Sequence, residues 1–186
     1  GGSVNLFTRP RRFGKTLALS MIKTFFEMEF DGGGNVIDNR HYFDGMKIMD
    51  AGEGYLRHMG CYPVISMSLK SAKQPDYYKA YTLLVRQITR EYDRHKYVLS
   101  GNALSDAEKR HYQAILDWER NESLYLDALK FLSECLKKYH KTNVVILLDE
   151  YDVPLENAFF NGFYKQMIDF IRSLFESALK TNDCLQ

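Results

Sequence analysis

The chain has 186 residues, 45% hydrophobic and 14% aromatic, enough for one domain with a real core. Its 25 basic and 24 acidic residues leave a net charge of +1. That removes any global electrostatic case for nucleic acid or an acidic membrane surface and leaves only local basic patches. No apolar run approaches the ~20 residues that span a bilayer, and no signal-peptide pattern opens the chain. Cys61, Cys135 and Cys184 form neither a C-x-x-C pair nor a metal-ligand spacing with histidine. Free thiols in a reducing, cytoplasmic setting are therefore expected. The chain opens at Gly1 without a methionine, so a piece of a longer protein is expected.

In chain order, Val4 to Thr8 reads as a short strand that Pro10 ends. From Lys15 to about Phe30 the pattern turns helical, with Leu19, Ile22 and Phe26 on one face. The stretch "DGGG" at 31–34 is expected to stop that helix. Residues 35–62 carry little periodicity. "YPVISMSL", 62–69, predicts a second strand with Ile65, Met67 and Leu69 on one face. Three helical segments follow. Tyr81, Leu84, Val85, Ile88 and Tyr92 stripe the first, and Ser105 with Glu108 forms a capping-box pair at the start of the second. Leu124, Ala128, Phe131, Cys135 and Tyr139 mark the third.

"VVILLDEYD", 144–152, begins as an unbroken apolar run. Its β-branched residues and short length predict a strand buried on both faces, as in a parallel sheet. Phe163, Met167, Phe170, Leu174 and Ala178 then mark a last helix. The order β-α-β-ααα-β-α predicts an α/β fold, a parallel sheet flanked by helices.

Two motifs carry chemistry. "RPRRFGKTL" places Gly14, Lys15 and Thr16 between a predicted strand and a predicted helix. A loop that wraps phosphate needs inward backbone N–H groups, and a helix start adds its positive dipole end. Gly14 permits close approach, Lys15 supplies a point charge to phosphate, and Thr16 supplies a hydroxyl to Mg²⁺. Alone, "GKT" is also what an ordinary helix start after a solvated basic loop looks like. The second motif, "LLDEYD", puts Asp149 and Glu150 at the carboxyl end of a strand, the edge where ligands sit in open α/β sheets. One carboxylate there can hold Mg²⁺ and its neighbour can deprotonate an attacking water.

"LFTRPRRFGKTL" together with "VVILLDEYDVPL", and "YPVISMSLK" between them, resembles the predicted AAA-type ATPase family of bacterial and archaeal proteins, within the P-loop NTPase superfamily. The resemblance covers nearly the whole chain, taken as one domain, 1–186. It implies a P-loop NTPase core that binds ATP with Mg²⁺. Arg11, Arg12, Phe13, Gly14, Lys15, Thr16 and Leu17 would line the nucleotide. Thr16 and Asp149 would serve the metal, and Lys15 and Glu150 catalysis. Many members of the family resemble two-part proteins with a restriction-nuclease-like C-terminal domain, which this sequence does not include. A homo-oligomer would also suit the resemblance.

Three features depart from the pattern. Arg9 stands where the first glycine of G-x-x-x-x-G-K-[ST] belongs. It fits there if its φ stays negative, and the following Pro10 favours the extended geometry of a residue leaving a strand. Arg11 and Arg12 read equally as added charge for phosphate or as a solvated turn. Asp149 lies 133 positions after Thr16, so the helices over about 76–140 read as an insertion between the motifs. The chain stops where a next core strand with a phosphate sensor is expected, which predicts an incomplete catalytic unit. Two rivals stand beside ATP hydrolysis coupled to an effector. One is a nucleotide-sensing module without turnover. The other is a nucleic-acid module using "RPRR" as a phosphate clamp, against which the neutral charge weighs.

Overall fold

The structure, a computed structural model, describes residues 4–6, 13–31, 34–180 and 182–186. Its sheet has two parallel strands. β1 (Val64–Ser68) runs beside β2 (Val145–Asp149), with Val64 opposite Val145 and Ser68 opposite Asp149. Val and Ile fill the first two places of both strands, as β-branched residues suit a pleated surface. Parallel strands need a long crossover. Here α3 (Tyr77–Arg94), α4 (Asp106–Leu116), α5 (Ser123–Leu126) and α6 (Ala128–His140) supply it. Before the sheet come α1 (Lys15–Phe26) and α2 (Glu53–Leu56); after it come α7 (Val153–Phe160) and α8 (Tyr164–Leu179). The fold is mixed α/β and rich in helix.

The core follows the apolar stripes. Leu84, Val85, Ile88 and Tyr92 of α3 are buried with Ile65 and Met67 of β1, Leu132 and Leu136 of α6, and Met167, Phe170 and Leu174 of α8. Burying a tyrosine requires a partner for its hydroxyl. Tyr92 donates to the Ala128 carbonyl at 2.7 Å, and Tyr112 donates to the Tyr92 carbonyl at 2.8 Å. Cys135 is buried, Cys61 is exposed, and all three cysteines are free thiols.

The outer edge of β1 is closed by side chains of α3. The Ser66 amide donates to Glu91 Oε2 at 3.2 Å, and the Val64 carbonyl accepts from His95 Nε2 at 3.2 Å and from Arg94. Arg94 also pairs with Glu91 at 2.8 Å and with Glu27. Two of the edge strand's outward backbone groups are thereby satisfied within the chain.

Three expectations change. The first helix ends at Phe26, short of Phe30, because the ladder takes over: Glu27 bridges Tyr62, and the Met28 amide donates to the Tyr62 carbonyl at 2.8 Å. β2 is half-buried along its whole length rather than buried on both faces. Beyond β1, its one pairing among the described residues is a bridge from Val144 to Leu185, where the Val144 amide donates to the Cys184 carbonyl at 2.7 Å. Residues 4–6 form no strand, and Val4 and Leu6 are exposed. The rest of that predicted strand, together with Arg9, Pro10, Arg11 and Arg12, lies outside the described residues. No helix among the described residues is long and apolar enough to cross a membrane.

Candidate functional site

Helix α1, like α2 and α5–α8, starts without the side-chain caps that open α3 and α4. At α3, Asp76 caps the first turn by accepting from the Lys79 amide at 2.9 Å. At α4, Ser105 and Glu108 form the capping box that the sequence predicts. At α1 the N-cap is Gly14, with no side-chain cap and no acidic residue in the first turn. The first-turn amides of a helix have no intrahelical acceptor and carry the positive dipole end, so an uncapped start suits an anion. Gly14 has φ 72°, left-handed backbone where a side chain is strained. A Cβ built there would meet no atom of the described residues within 4 Å, so the backbone angle calls for glycine.

The two motifs meet. Thr16 Oγ1 donates to Asp149 Oδ2 at 2.7 Å, joining the start of α1 to the end of β2. The second oxygen of Asp149 accepts from the Glu150 amide at 2.9 Å, so both carboxylate oxygens are engaged and the rotamer is held. The chain then turns sharply. Glu150 has φ 51°, in the left-handed region that a residue with a side chain enters only at a cost. The turn continues into α7, whose first residue Val153 donates its amide to the Glu150 carbonyl at 3.2 Å.

Between these elements lies a cleft of about 720 Å³. Gly14, Lys15, Thr16 and Leu17 line one side, and Glu150 faces it from the strand end. Asp152, Glu156, Asn157 and Phe160 line it from the α7 side. Asp149 lies behind this wall, against Thr16, while Glu150 reaches the open space. Of the predicted nucleotide-lining residues, Phe13 is exposed and is not among those lining the cleft. Arg11 and Arg12 lie outside the described residues. Two smaller cavities, of about 560 and 440 Å³, lie along the later turns of α1 and include neither strand end.

Lys70 and Lys73 also line the cleft and were missed by motif reading. Their signal was in the sequence: Lys70 follows directly on a predicted strand and Lys73 comes three residues later, at the carboxyl edge where ligands gather. No histidine joins the site. His95 is buried beside Arg94, and burial first, then that guanidinium, lower its pKa to about 3.

The donor set at Thr16 and Asp149 is hard oxygen, the kind Mg²⁺ prefers. A hydroxyl that gives its proton to a carboxylate keeps its lone pairs for a cation. These residues fit that ion.

A family model described as AAA-ATPase_like, Predicted AAA-ATPase, matches residues 1–186. No curated protein and no solved structure matches the chain.

Proposed function

The chain belongs to the predicted AAA-ATPase family, and from that premise we propose that it is a P-loop ATPase core that binds Mg-ATP in the cleft between α1 and α7 and hydrolyses it. The observation that carries the reading is the 2.7 Å hydrogen bond from Thr16 to Asp149. It joins two residues 133 positions apart that were singled out for one metal-phosphate site.

In this reading the uncapped amides of α1 and the Lys15 ammonium hold the β and γ phosphates. Thr16 and Asp149 would hold Mg²⁺, which when bound offsets phosphate charge. Glu150 accepts a proton from the attacking water. The water oxygen bonds to the γ phosphorus, the bond to the β–γ bridging oxygen breaks, and ADP and phosphate leave. The left-handed backbone of Glu150 supports a functional role, since such strain persists where a side chain must be aimed. Coupling of turnover to an effector domain or partner belongs to the same proposal and rests on the resemblance alone.

The test is a pair of variants. Lys15→Ala should lose most nucleotide affinity with its melting temperature unchanged. Glu150→Gln should bind Mg-ATP normally and lose roughly 10²–10⁴-fold in turnover. Unchanged affinity in Lys15→Ala, by calorimetry, would remove the phosphate site. Unchanged turnover in Glu150→Gln would leave a nucleotide sensor in place of an enzyme.

A further inference from the structure

We propose that Lys70 and Lys73 are ligands of the terminal phosphate, supplied from the same chain, and that they let the site tell a nucleoside triphosphate from a diphosphate. The inference rests on the phosphate-site reading above and adds two residues that neither motif contains.

The placement comes from the sheet. Ser68 stands opposite Asp149, and the Leu69 amide donates to the Asp149 carbonyl at 3.0 Å. Leu69 is therefore level with Glu150, and Lys70 follows one residue on, just past the end of the ladder. Residues Lys70–Ala72 then turn as a 3₁₀ helix. Lys73 is the C-cap just past that turn, three positions after Lys70, a spacing that 3₁₀ geometry brings toward one side. Both line the cleft that holds Gly14, Lys15, Thr16 and Glu150.

The turn that carries them is fixed. Ala72 is fully buried, Gln87 Nε2 donates to Ser71 Oγ at 3.3 Å, and Asn157 of α7 donates to the Gln74 carbonyl. The ammonium groups are not committed. Neither Lys70 nor Lys73 makes an ion pair among the described residues, a state they share with Lys15 and six other lysines; what sets them apart is their place in the cleft.

Their chemistry fits the end of the phosphate chain. Lys15, at the start of α1, serves the phosphates nearer the loop. Glu150 marks the position of the attacking water, beyond the γ phosphorus. Cations beside Glu150 face the γ oxygens, which ADP lacks. A lysine acts there as a mobile point charge suited to phosphate.

The experiment is calorimetric titration of the chain with ATP and with ADP, each with Mg²⁺. The proteins are the unmodified chain, Lys15→Ala, Lys70→Ala, Lys73→Ala and the double variant Lys70→Ala/Lys73→Ala. The unmodified chain should prefer ATP. The double variant should lose roughly ten- to a hundredfold in ATP affinity while ADP affinity stays within about twofold, since hydrogen bonds to charged groups are of that strength. Both lysines are exposed, so the melting temperature should not move. Equal losses for ATP and ADP would overturn the assignment. So would no loss for either, which would leave the lysines as counter-charges to Asp152 and Glu156. If Lys15→Ala loses both nucleotides while the double variant keeps its ATP preference, this proposal alone fails. If the unmodified chain binds neither nucleotide, the phosphate-site reading fails with it.

Discussion

β1 carries a polar cluster at each end, and the two are opposites. At its start, Glu27, Glu91, Arg94 and His95 surround Val64 and Ser66, and their polar groups are matched to one another and to backbone. At its finish, Lys70 and Lys73 line an open cleft with Lys15 and Glu150, and none of the four makes an ion pair among the described residues. Both clusters look charged and polar in the sequence. The first closes a strand edge; the second leaves charge available. Saturation separates a structural polar cluster from one built to receive a ligand.

The saturated cluster can be followed proton by proton. His95 is neutral, since burial and Arg94 hold its pKa near 3. Its Nε2–H donates to the Val64 carbonyl, so Nδ1 must accept, and Tyr97 is its donor at 3.1 Å. The Tyr97 oxygen is then left to accept from His140 Nε2 at 2.9 Å. Burial lowers the pKa of His140 as well, in keeping with a neutral donor.

The comparison makes a first demand on stability. Arg94→Ala removes the cation between Glu27 and Glu91, whose side chains are 9% and 12% exposed. Glu91 loses its cation while Glu27 keeps Lys23 at 3.4 Å, and Arg94 itself keeps 33% exposure, so a loss of about 2–3 kcal/mol is expected. Lys70→Ala, at the other end of β1, should change stability by less than about 0.5 kcal/mol. Urea unfolding of both variants checks the pair. Equal costs would mean that Lys70 is structural and the contrast is false.

A second, somewhat smaller effect is in pH. His95 titrates at 6.5 in an ordinary setting and near 3 in the fold. Below the ordinary value the unfolded chain takes a proton that the folded chain refuses, so stability falls as pH falls from 6.5 toward 3. At about pH 4.5 the loss from His95 should be on the order of 2 kcal/mol. His95→Gln, which keeps a donor for the Val64 carbonyl, should flatten that slope. An unchanged slope in denaturation midpoints would show that other groups set it.

Some of this was legible in the chain and some was not. The capping box at Ser105 and Glu108 is local, four residues long, and forms as the sequence predicts. The apolar stripe of α3 and the strand at 64–68 followed from periodicity. Thr16 and Asp149 were paired in the reading through their motifs, not their distance along the chain. What escaped the reading was set by tertiary contact. The end of α1 at Phe26 depends on Tyr62, 35 or more positions on in the ladder from Glu27. The edge cover of β1 depends on α3 side chains whose neighbours no local pattern reveals. The half-burial of β2 reflects which elements lie beside it rather than its own apolar run.

The smallest predicted effect bears most directly on why Glu150 stands where it does. Three non-glycine residues at element ends share left-handed backbone among the described residues: Trp118, φ 59°, just past α4; Lys141, φ 58°, the C-cap of α6; and Glu150, φ 51°. Each pays a conformational penalty of about 1 kcal/mol that glycine would avoid, partly offset by the greater freedom of glycine in the unfolded chain. Lys141→Gly should therefore raise stability slightly, by about 0.5 kcal/mol, and leave nucleotide binding untouched, because a helix C-cap is a common glycine position. Glu150→Gly should raise stability by a similar amount and abolish turnover. Glu150→Gln should lose turnover by the same roughly 10²–10⁴-fold with no gain in stability, since glutamine suffers the same backbone. Melting temperatures and ATP hydrolysis on the three variants separate the contributions. If Glu150→Gly were instead less stable, the carboxylate would be making a stabilising contact that explains its presence. Strain kept for function would then no longer distinguish the cleft from the saturated end of β1.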